Sequence, residues 1–373
     1  MSNNTNKYSL LFRPFHSEKL KLKNRMVMAP MTRNFAPGGV PTEEMALYYG
    51  RRAAAEVGLI ITEGTVINHK ASNGYPSVPE FFGDEALSGW KKVVDEVHKE
   101  GGKIVPQIWH VGKVRKKGME PDPAVNGYGP MEKSRDGDVR TIGMTQQDID
   151  EVVAAYGDAA KAAYDLGFDG VEVHGAHGYL IDQFLWEGTN QRTDEYGGSL
   201  EKRTRFAVEV VEDIRRKVPV SFPVIFRFSQ WKMTDYSAQL VDNPKELGVI
   251  LNLLKDAGVD IFHASTRRFW EPTFEGSDLN LAGWAKKLTG LPVITVGSVG
   301  IDREMMATFD PKWDGRSEQT DIDPLLNPLS DDQFDLVAVG RALLGDPEWS
   351  LKVKEDRLDD VIPFTQKSME ALI

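Results

Sequence analysis

Eight short apolar segments, most of them separated by a helical pattern, limit what this chain can fold into. They are Arg25–Pro30, Gly58–Gly64, Lys103–Trp109, Phe168–His174, Pro223–Phe228, Val259–Ala264, Pro292–Gly297 and Asp335–Gly340. Each has strand length and is bounded by turn-forming or polar residues. Alternation of this kind implies parallel strands joined by helical crossovers. Eight units predict an α/β fold, a (β/α)8 TIM barrel, made by residues 1–373 as a single domain. A doubly wound open sheet is the second choice. Helix starts are visible. Asp84 is placed to cap a helix burying Leu87, Trp90, Val93, Val94 and Val97. Thr145 with Asp148 makes a capping-box pattern, and Ser199 precedes an apolar face of Leu200, Thr204, Ala207, Val208, Val211 and Ile214. Residues Leu11–Asn24 predict a short hairpin closing the barrel floor. Gly112–Gly143 and Asp310–Gln333, rich in Pro, Gly and charge, read as long surface loops. The first follows strand three, so it is a candidate lid.

Composition narrows function by exclusion. A net charge of −11 argues against nucleic-acid partners and anionic membranes. No apolar stretch approaches the length of a membrane span. The start MSNNTNKYSLLF lacks the pattern of a secretory signal, which makes cytoplasm the default location. The chain contains no cysteine, which excludes disulfides, thiol nucleophiles, cysteine-bound zinc and cysteine-held iron–sulfur clusters. Redox chemistry would need a bound organic cofactor, or a metal held by oxygen and nitrogen.

A barrel gathers its functional residues at the C-terminal ends of the strands. The fourth segment ends in His174, followed closely by His177 and Tyr179. Two imidazoles and a phenol in that arrangement can grip a developing oxyanion and deliver a proton. They can equally form a hydrogen-bonded structural corner. A metal half-site would lack a third ligand, because Glu172 is expected on the opposite face or turned back into the barrel wall; no metal is assigned. Strand one ends in Ala29, Pro30, Met31 and Thr32, strand three carries Gln107 and Trp109, and strand five carries Arg227. Gln107 and Arg227 can hold the polar edge of a flat heterocycle. Alternatively, Arg227 pairs with a core carboxylate and Gln107 satisfies backbone groups. Gly297 and Ser298 after strand seven, with Gly340 and Arg341 after strand eight, suit a phosphate. Neither a G-x-G-x-x-G fingerprint nor a phosphate loop ending in Gly-Lys-Ser/Thr is present, so one phosphate pocket fits a mononucleotide cofactor.

With these residues assembled, the chain resembles the Old Yellow Enzyme family of FMN-dependent ene-reductases. The likeness runs from LFRPFHSEKLKLKNRMVMAPMTR to VGRALLGDPEW, and its most specific segment is HGAHGYLIDQFLWEGTNQRTDEYGGS. The resemblance implies the same barrel, FMN as cofactor and NADPH or NADH as reductant. It implies reduction of the activated C=C bond of α,β-unsaturated carbonyl compounds, with both substrates using one site in turn; nitroalkenes, maleimides and nitrate esters suit the same kind of pocket. In that reading Ala29, Pro30, Met31 and Thr32 contact the flavin, Gln107 and Arg227 hold its pyrimidine edge, and Gly297, Ser298, Gly340 and Arg341 hold its phosphate. His174 and His177 bind the substrate oxygen and Tyr179 donates the proton; many members carry Asn in place of the second His. Trp109 shapes the pocket, and Phe269 or Trp270 after strand six supplies an aromatic substrate contact. Thr32 places the chain with the threonine branch rather than the cysteine branch. That branch often has a pocket tyrosine near the C-terminus, where this chain offers only Phe364, so the role is not carried over. Arg192, Asp194 and Tyr196 are read as ordering the loop. The protein is expected to act as a monomer or homodimer on small electrophilic alkenes. A non-catalytic flavin binder and a phosphate-binding barrel aldolase or isomerase are the alternatives. The latter often needs a lysine or a metal at a strand end, and no lysine stands at the mouth positions named here.

Overall fold

Eight parallel strands close on themselves in the computed structural model, which describes residues 6–305 and 312–373. In chain order they are β1 Met26–Met28, β2 Leu59–Val66, β3 Lys103–Trp109, β4 Val171–His174, β5 Val224–Ser229, β6 Ile261–Ser265, β7 Val293–Val296 and β8 Leu336–Val339. All eight lie within or overlap the apolar segments. Pairing of β8 with β1, Val337 opposite Met26, closes the ring and rules out an open sheet. The helices are α1 Glu43–Ala54, α2 Asp84–Lys99, α3 Gln146–Leu166, α4 Leu180–Leu185, α5 Leu200–Lys217, α6 Pro244–Ala257, α7 Leu281–Thr289, α8 Leu326–Ser330, α9 Arg341–Gly345 and α10 Trp349–Lys354. None is long and apolar enough to cross a membrane.

Alternate residues of a strand face opposite sides. Outward-facing Ile104, Ile108, Val171, Val173, Phe226 and Phe262 join the apolar faces of the surrounding helices in one core. Inward-facing Val27, Leu59, Ile61, Val105, Ile225, Ile261, Ile294 and Leu336 form a second core inside the barrel. Phe15, Leu20 and Leu22 belong to that inner core. They come from the expected hairpin, in which Phe15–His16 pairs antiparallel with Lys21–Leu22. The barrel is therefore plugged with hydrocarbon at its N-terminal end. Two residues further along, the inward positions turn polar: Gln107 on β3, Glu172 on β4, Arg227 on β5 and His263 on β6.

Five local expectations meet different outcomes. The Thr145–Asp148 capping box forms in both directions, and Ser199 caps α5 through Lys202 N. Asp84 does not cap α2. Gly83, at φ 75°, takes the cap position, and Asp84 sits inside the first turn, where its charge still favours the helix dipole. The stretch Gly112–Gly143 is not a loose lid. It contains a three-stranded sheet of Gly127–Gly129, Lys133–Arg135 and Asp138–Gly143. The buried Arg115 guanidinium pins it by donating to the carbonyls of Asn73, Met119, Glu120, Asp122 and Val125. Of the second expected loop, 310 and 311 lie outside the described residues, and the remainder contains α8.

Replacing Thr145 by Ala removes the side-chain arm of the capping box, Asp148 N to Thr145 Oγ1, and leaves the backbone arm to Asp148 Oδ2. Urea denaturation should show a loss of about 1 kcal/mol; a midpoint equal to the parent's would show that the side-chain arm contributes nothing.

Candidate active site at the barrel mouth

The chain leaves β4 at His174 and turns sharply before α4. His177 takes φ 66°, a left-handed conformation uncommon for a residue with a side chain. Several contacts hold it there. Ser229 Oγ accepts its N–H at 3.0 Å, and its own carbonyl accepts Met233 N at 3.1 Å. Its ring stacks on Trp231 at 4.4 Å. Asp182 Oδ2 accepts the next amide, Gly178 N, at 2.6 Å, and Asp182 is itself ion-paired with buried Lys232 at 2.6 Å. The turn brings three rings together. His174 lies 5.2 Å from His177 and 4.9 Å from Tyr179, centre to centre. Trp109 stacks on His174 at 6.0 Å and meets Tyr179 edge-on at 4.8 Å. Room for that indole is made by Gly64, where a Cβ would come within 2.5 Å of the ring.

Hydrogen bonding assigns the His174 tautomer and anchors the His177 ring. His174 Nδ1 accepts Ala176 N at 3.4 Å, which leaves its proton on Nε2. Arg227 Nη2 donates to Ser265 Oγ at 3.3 Å, and the same hydroxyl lies 2.8 Å from His177 Nε2, which it ties down in either tautomer of that ring. Burial, and then the Arg227 cation, push both imidazoles well below their ordinary pKa, so both stay neutral. Tyr179 shifts the other way. Burial and the neighbouring Tyr75 hydroxyl, 3.0 Å away, hold its phenol well above the usual value, so it keeps its proton. The cluster thus offers neutral N–H donors and one loaded phenol.

Beneath the rings lies a buried polar layer. Glu172 accepts Gln107 Nε2 at 2.7 Å and His263 Nδ1 at 2.7 Å. It faces inward with His174 and not toward the opposite face, the first of the two expected orientations, because residues two apart on a strand share a face. Arg227 has His174 and His263 as register neighbours; its Nε is buried without a partner, and burial pushes its pKa down to about 10.

The ends of β1, β7 and β8 form the other flank. Ala29 is buried and its N–H bonds Val339 O at 2.9 Å; Pro30 and Met31 are half-buried and Thr32 is exposed. A Cβ on Gly340 would stand 3.4 Å from Met31 Sδ, so the β1 and β8 ends touch. Gly297 and Ser298 turn through φ 145° and 50°, with Ser298 Oγ donating to Arg267 O at 2.9 Å. Arg341 donates one nitrogen to Arg303 O, and its buried Nη1 has no partner. Burial pushes its pKa, too, down to about 10. Two largely desolvated guanidinium groups with unused N–H donors are what an acceptor-rich anion would complete, so the donor set fits a flavin mononucleotide. Among the described residues, no group of three or more His, Cys, Asp or Glu can hold a metal.

Other positions sort plainly. Phe269 is buried in the outer core with its N–H on Gly297 O, while the adjoining Trp270 is 48% exposed. Arg192 binds Asp194 and the carbonyls of Pro130 and Met144, and the Tyr196 hydroxyl bridges Gln146 and Glu209, so these residues order the loop as expected. Glu172, His263, Ser265 and Lys232 were missed from the sequence. The period of two in IFHAS carried the signal for His263 and Ser265. Lys232 stands at the mouth, outside the positions named from the sequence, and Asp182 occupies it.

Behind the β1 turn, Glu63 Oε2 accepts Arg33 N at 3.0 Å, while Oε1 is buried without a partner. Burial raises its pKa to about 7 even though the Arg33 amide pulls it down.

Residues 10–312 match the NADH:flavin oxidoreductase / NADH oxidase family. In sequence, the chain is 41% identical over 227 residues to 12-oxophytodienoate reductase 7 of Oryza sativa subsp. japonica, covering 56% of this chain and 55% of that one. The chain spans about half the length of that relative and of another curated match. In structure it resembles morphinone reductase in complex with tetrahydroNAD, with TM-score 0.77, 28% identity and coverage of 93% of this chain and 91% of that one. It also resembles the old yellow enzyme homologue from Zymomonas mobilis, with TM-score 0.79, 25% identity and 96% coverage of both chains.

Glu63 yields a test with a definite sign. Its folded pKa of about 7 lies above the unfolded value of about 4.3, so its protonation stabilises the fold below pH 4.3 and that contribution is lost as pH rises through 7. Glu63→Gln should abolish this slope. Parent-minus-variant stability should fall by roughly 3 kcal/mol from about pH 4.5 to 7.5 and then level off. A difference independent of pH would mean the carboxyl is not buried as described.

Proposed function

Because the chain belongs to the NADH:flavin oxidoreductase / NADH oxidase family, we propose that it is an FMN-dependent NAD(P)H oxidoreductase reducing the activated C=C bond of α,β-unsaturated carbonyl compounds. The observation that carries the proposal is the convergence of His174, His177 and Tyr179 against Trp109, directly above the buried Gln107–Arg227 layer. The names of its relatives, reductases of 12-oxophytodienoate and of morphinone, support a carbonyl-activated alkene as substrate.

Each residue then has a task. Gln107 and Arg227 hold the polar edge of the flavin; Gly297, Ser298, Gly340 and Arg341 hold its phosphate. Ala29, Pro30, Met31 and Thr32 line its flank, the Thr32 hydroxyl donating as in the threonine branch. When bound, FMN supplies the hydride and is recharged by NADPH or NADH. His174 Nε2–H and the His177 ring donate to the substrate oxygen and draw electron density from the alkene. Being neutral, they polarise that oxygen without protonating it. Tyr179 holds the proton destined for the α-carbon. Trp109 walls the pocket, and Trp270, backed by Phe269, supplies the aromatic contact at its rim. The same pocket serves both substrates in turn, in a ping-pong sequence. The chain acts as one barrel domain, a monomer or homodimer, in the cytoplasm, where nicotinamide reductants are available.

Purified protein should be yellow, release FMN on denaturation and oxidise NADPH or NADH when given 2-cyclohexenone; colourless folded protein from flavin-replete cells would overturn the assignment. Tyr179→Phe should leave flavin reduction by NAD(P)H unchanged and slow the alkene half-reaction by about 10²–10⁴-fold. Equal slowing of both half-reactions in stopped flow would remove Tyr179 as the donor.

A further inference from the structure

Glu172 lies at the centre of the buried layer and reaches no ligand position itself. It is wholly buried on β4, two residues before His174. One carboxylate oxygen accepts Gln107 Nε2 and the other accepts His263 Nδ1, both at 2.7 Å. A carboxylate can only accept. Gln107 must therefore turn its N–H₂ toward Glu172 and present its carbonyl oxygen elsewhere. His263 must carry its proton on Nδ1. Burial keeps that imidazole below its usual pKa although Glu172 pulls the other way, so the pair bears one net negative charge. The charge lies close to Arg227, whose guanidinium it stabilises. Arg227 meanwhile has one hydrogen-bond partner, Ser265 Oγ, and a buried Nε with none.

We propose that Glu172 is a positioning residue for the cofactor edge: it sets the donor–acceptor polarity of the Gln107 amide and offsets the Arg227 charge, and so governs both FMN affinity and flavin reduction potential. The inference rests on the flavin reading above and deepens it. A Gln107 carbonyl beside Arg227 donors forms an acceptor–donor pair, which complements the N–H and C=O of an imide edge. A Gln107 amide free to flip would offer that pairing only part of the time. The reduced cofactor also carries more negative charge than the oxidised one, and a buried carboxylate nearby opposes that charge.

Two variants separate these effects. Glu172→Gln keeps the shape, removes the charge and lets residue 172 donate as well as accept. Its holoenzyme should favour reduced over oxidised FMN at least tenfold more than the parent does, which is a rise of about 30 mV for a two-electron couple. Glu172→Asp keeps the charge but draws the carboxylate back by one methylene. It should lose FMN at least tenfold more readily on dilution, read by flavin fluorescence, with its potential close to the parent's. A parent protein that holds no FMN would overturn this inference together with the flavin reading. A parent that holds FMN, with Glu172→Gln matching its potential, would overturn this inference alone. Should Glu172→Gln not be recovered folded, Glu172→Asp decides: parental FMN retention overturns the proposal, and weakened retention at unchanged potential supports it.

Discussion

A carboxylate sealed inside a barrel cannot be left alone, and Glu172 organises its surroundings for that reason. Its two oxygens face Gln107 and His263, both of which are obliged to donate. Arg227 lies close enough to share its field and donates a hydrogen bond to Ser265, whose hydroxyl is hydrogen-bonded to His177 Nε2. A chain of constraints therefore runs from the barrel interior to the ring cluster at its mouth. It is possible because the inner core changes character along its length. Hydrocarbon from Ile225, Ile261 and the Phe15 hairpin fills the floor, and the next inward positions are polar.

The loops answer a different demand. His177 needs a left-handed backbone to lay its ring beside His174, a conformation that costs of order 1 kcal/mol or more and persists only when neighbours over-determine it. Ser229, Met233, Trp231 and the Lys232–Asp182 pair supply that support from β5, the loop after it and α4. Breaking a fully buried ion pair by removing one partner is strongly destabilising. Lys232 at the mouth is therefore structural. Arg115 plays the matching part beneath the β3 loop, where five carbonyls converge on one guanidinium.

The barrel was legible because its signals are repeated: strand-length apolar runs bounded by turn punctuation recur eight times, with helical faces between most of them. The closing hairpin was legible because two short apolar patches flank a turn ahead of β1. His174, His177 and Tyr179 stood out as polar residues at a strand end. Their partners did not. His263 and Ser265 sit in a strand that reads as core, and only period-two bookkeeping shows that both face inward beside Arg227. For the same reason the sequence leaves Glu172 between the opposite face and the barrel wall. Lys232 lies in irregular chain, where no periodicity predicts burial. The small sheet within Gly112–Gly143 was invisible because Lys133–Arg135 and much of Asp138–Gly143 are exposed and polar, and so carry no apolar alternation.

The protonation pattern bears on the order of events at the site. Charging either His174 or His177 would place a second buried cation beside Arg227, and the nearby carboxylate is already taken up by Gln107 and His263. The imidazoles are thereby confined to hydrogen bonding and contribute polarisation alone. Tyr179 is the loaded acid among the three rings, and its proton is held more tightly than in free solution by burial and by Tyr75. So weak an acid gives its proton only to a strongly basic carbon. In the proposed reaction, proton delivery from Tyr179 would then be tied to the moment when electron density reaches the α-carbon, and would follow alkene activation. Burial thus acts in opposite senses on the imidazoles and on the phenol, which packs in an apolar cluster with Trp109, Val66, Val78 and Val111.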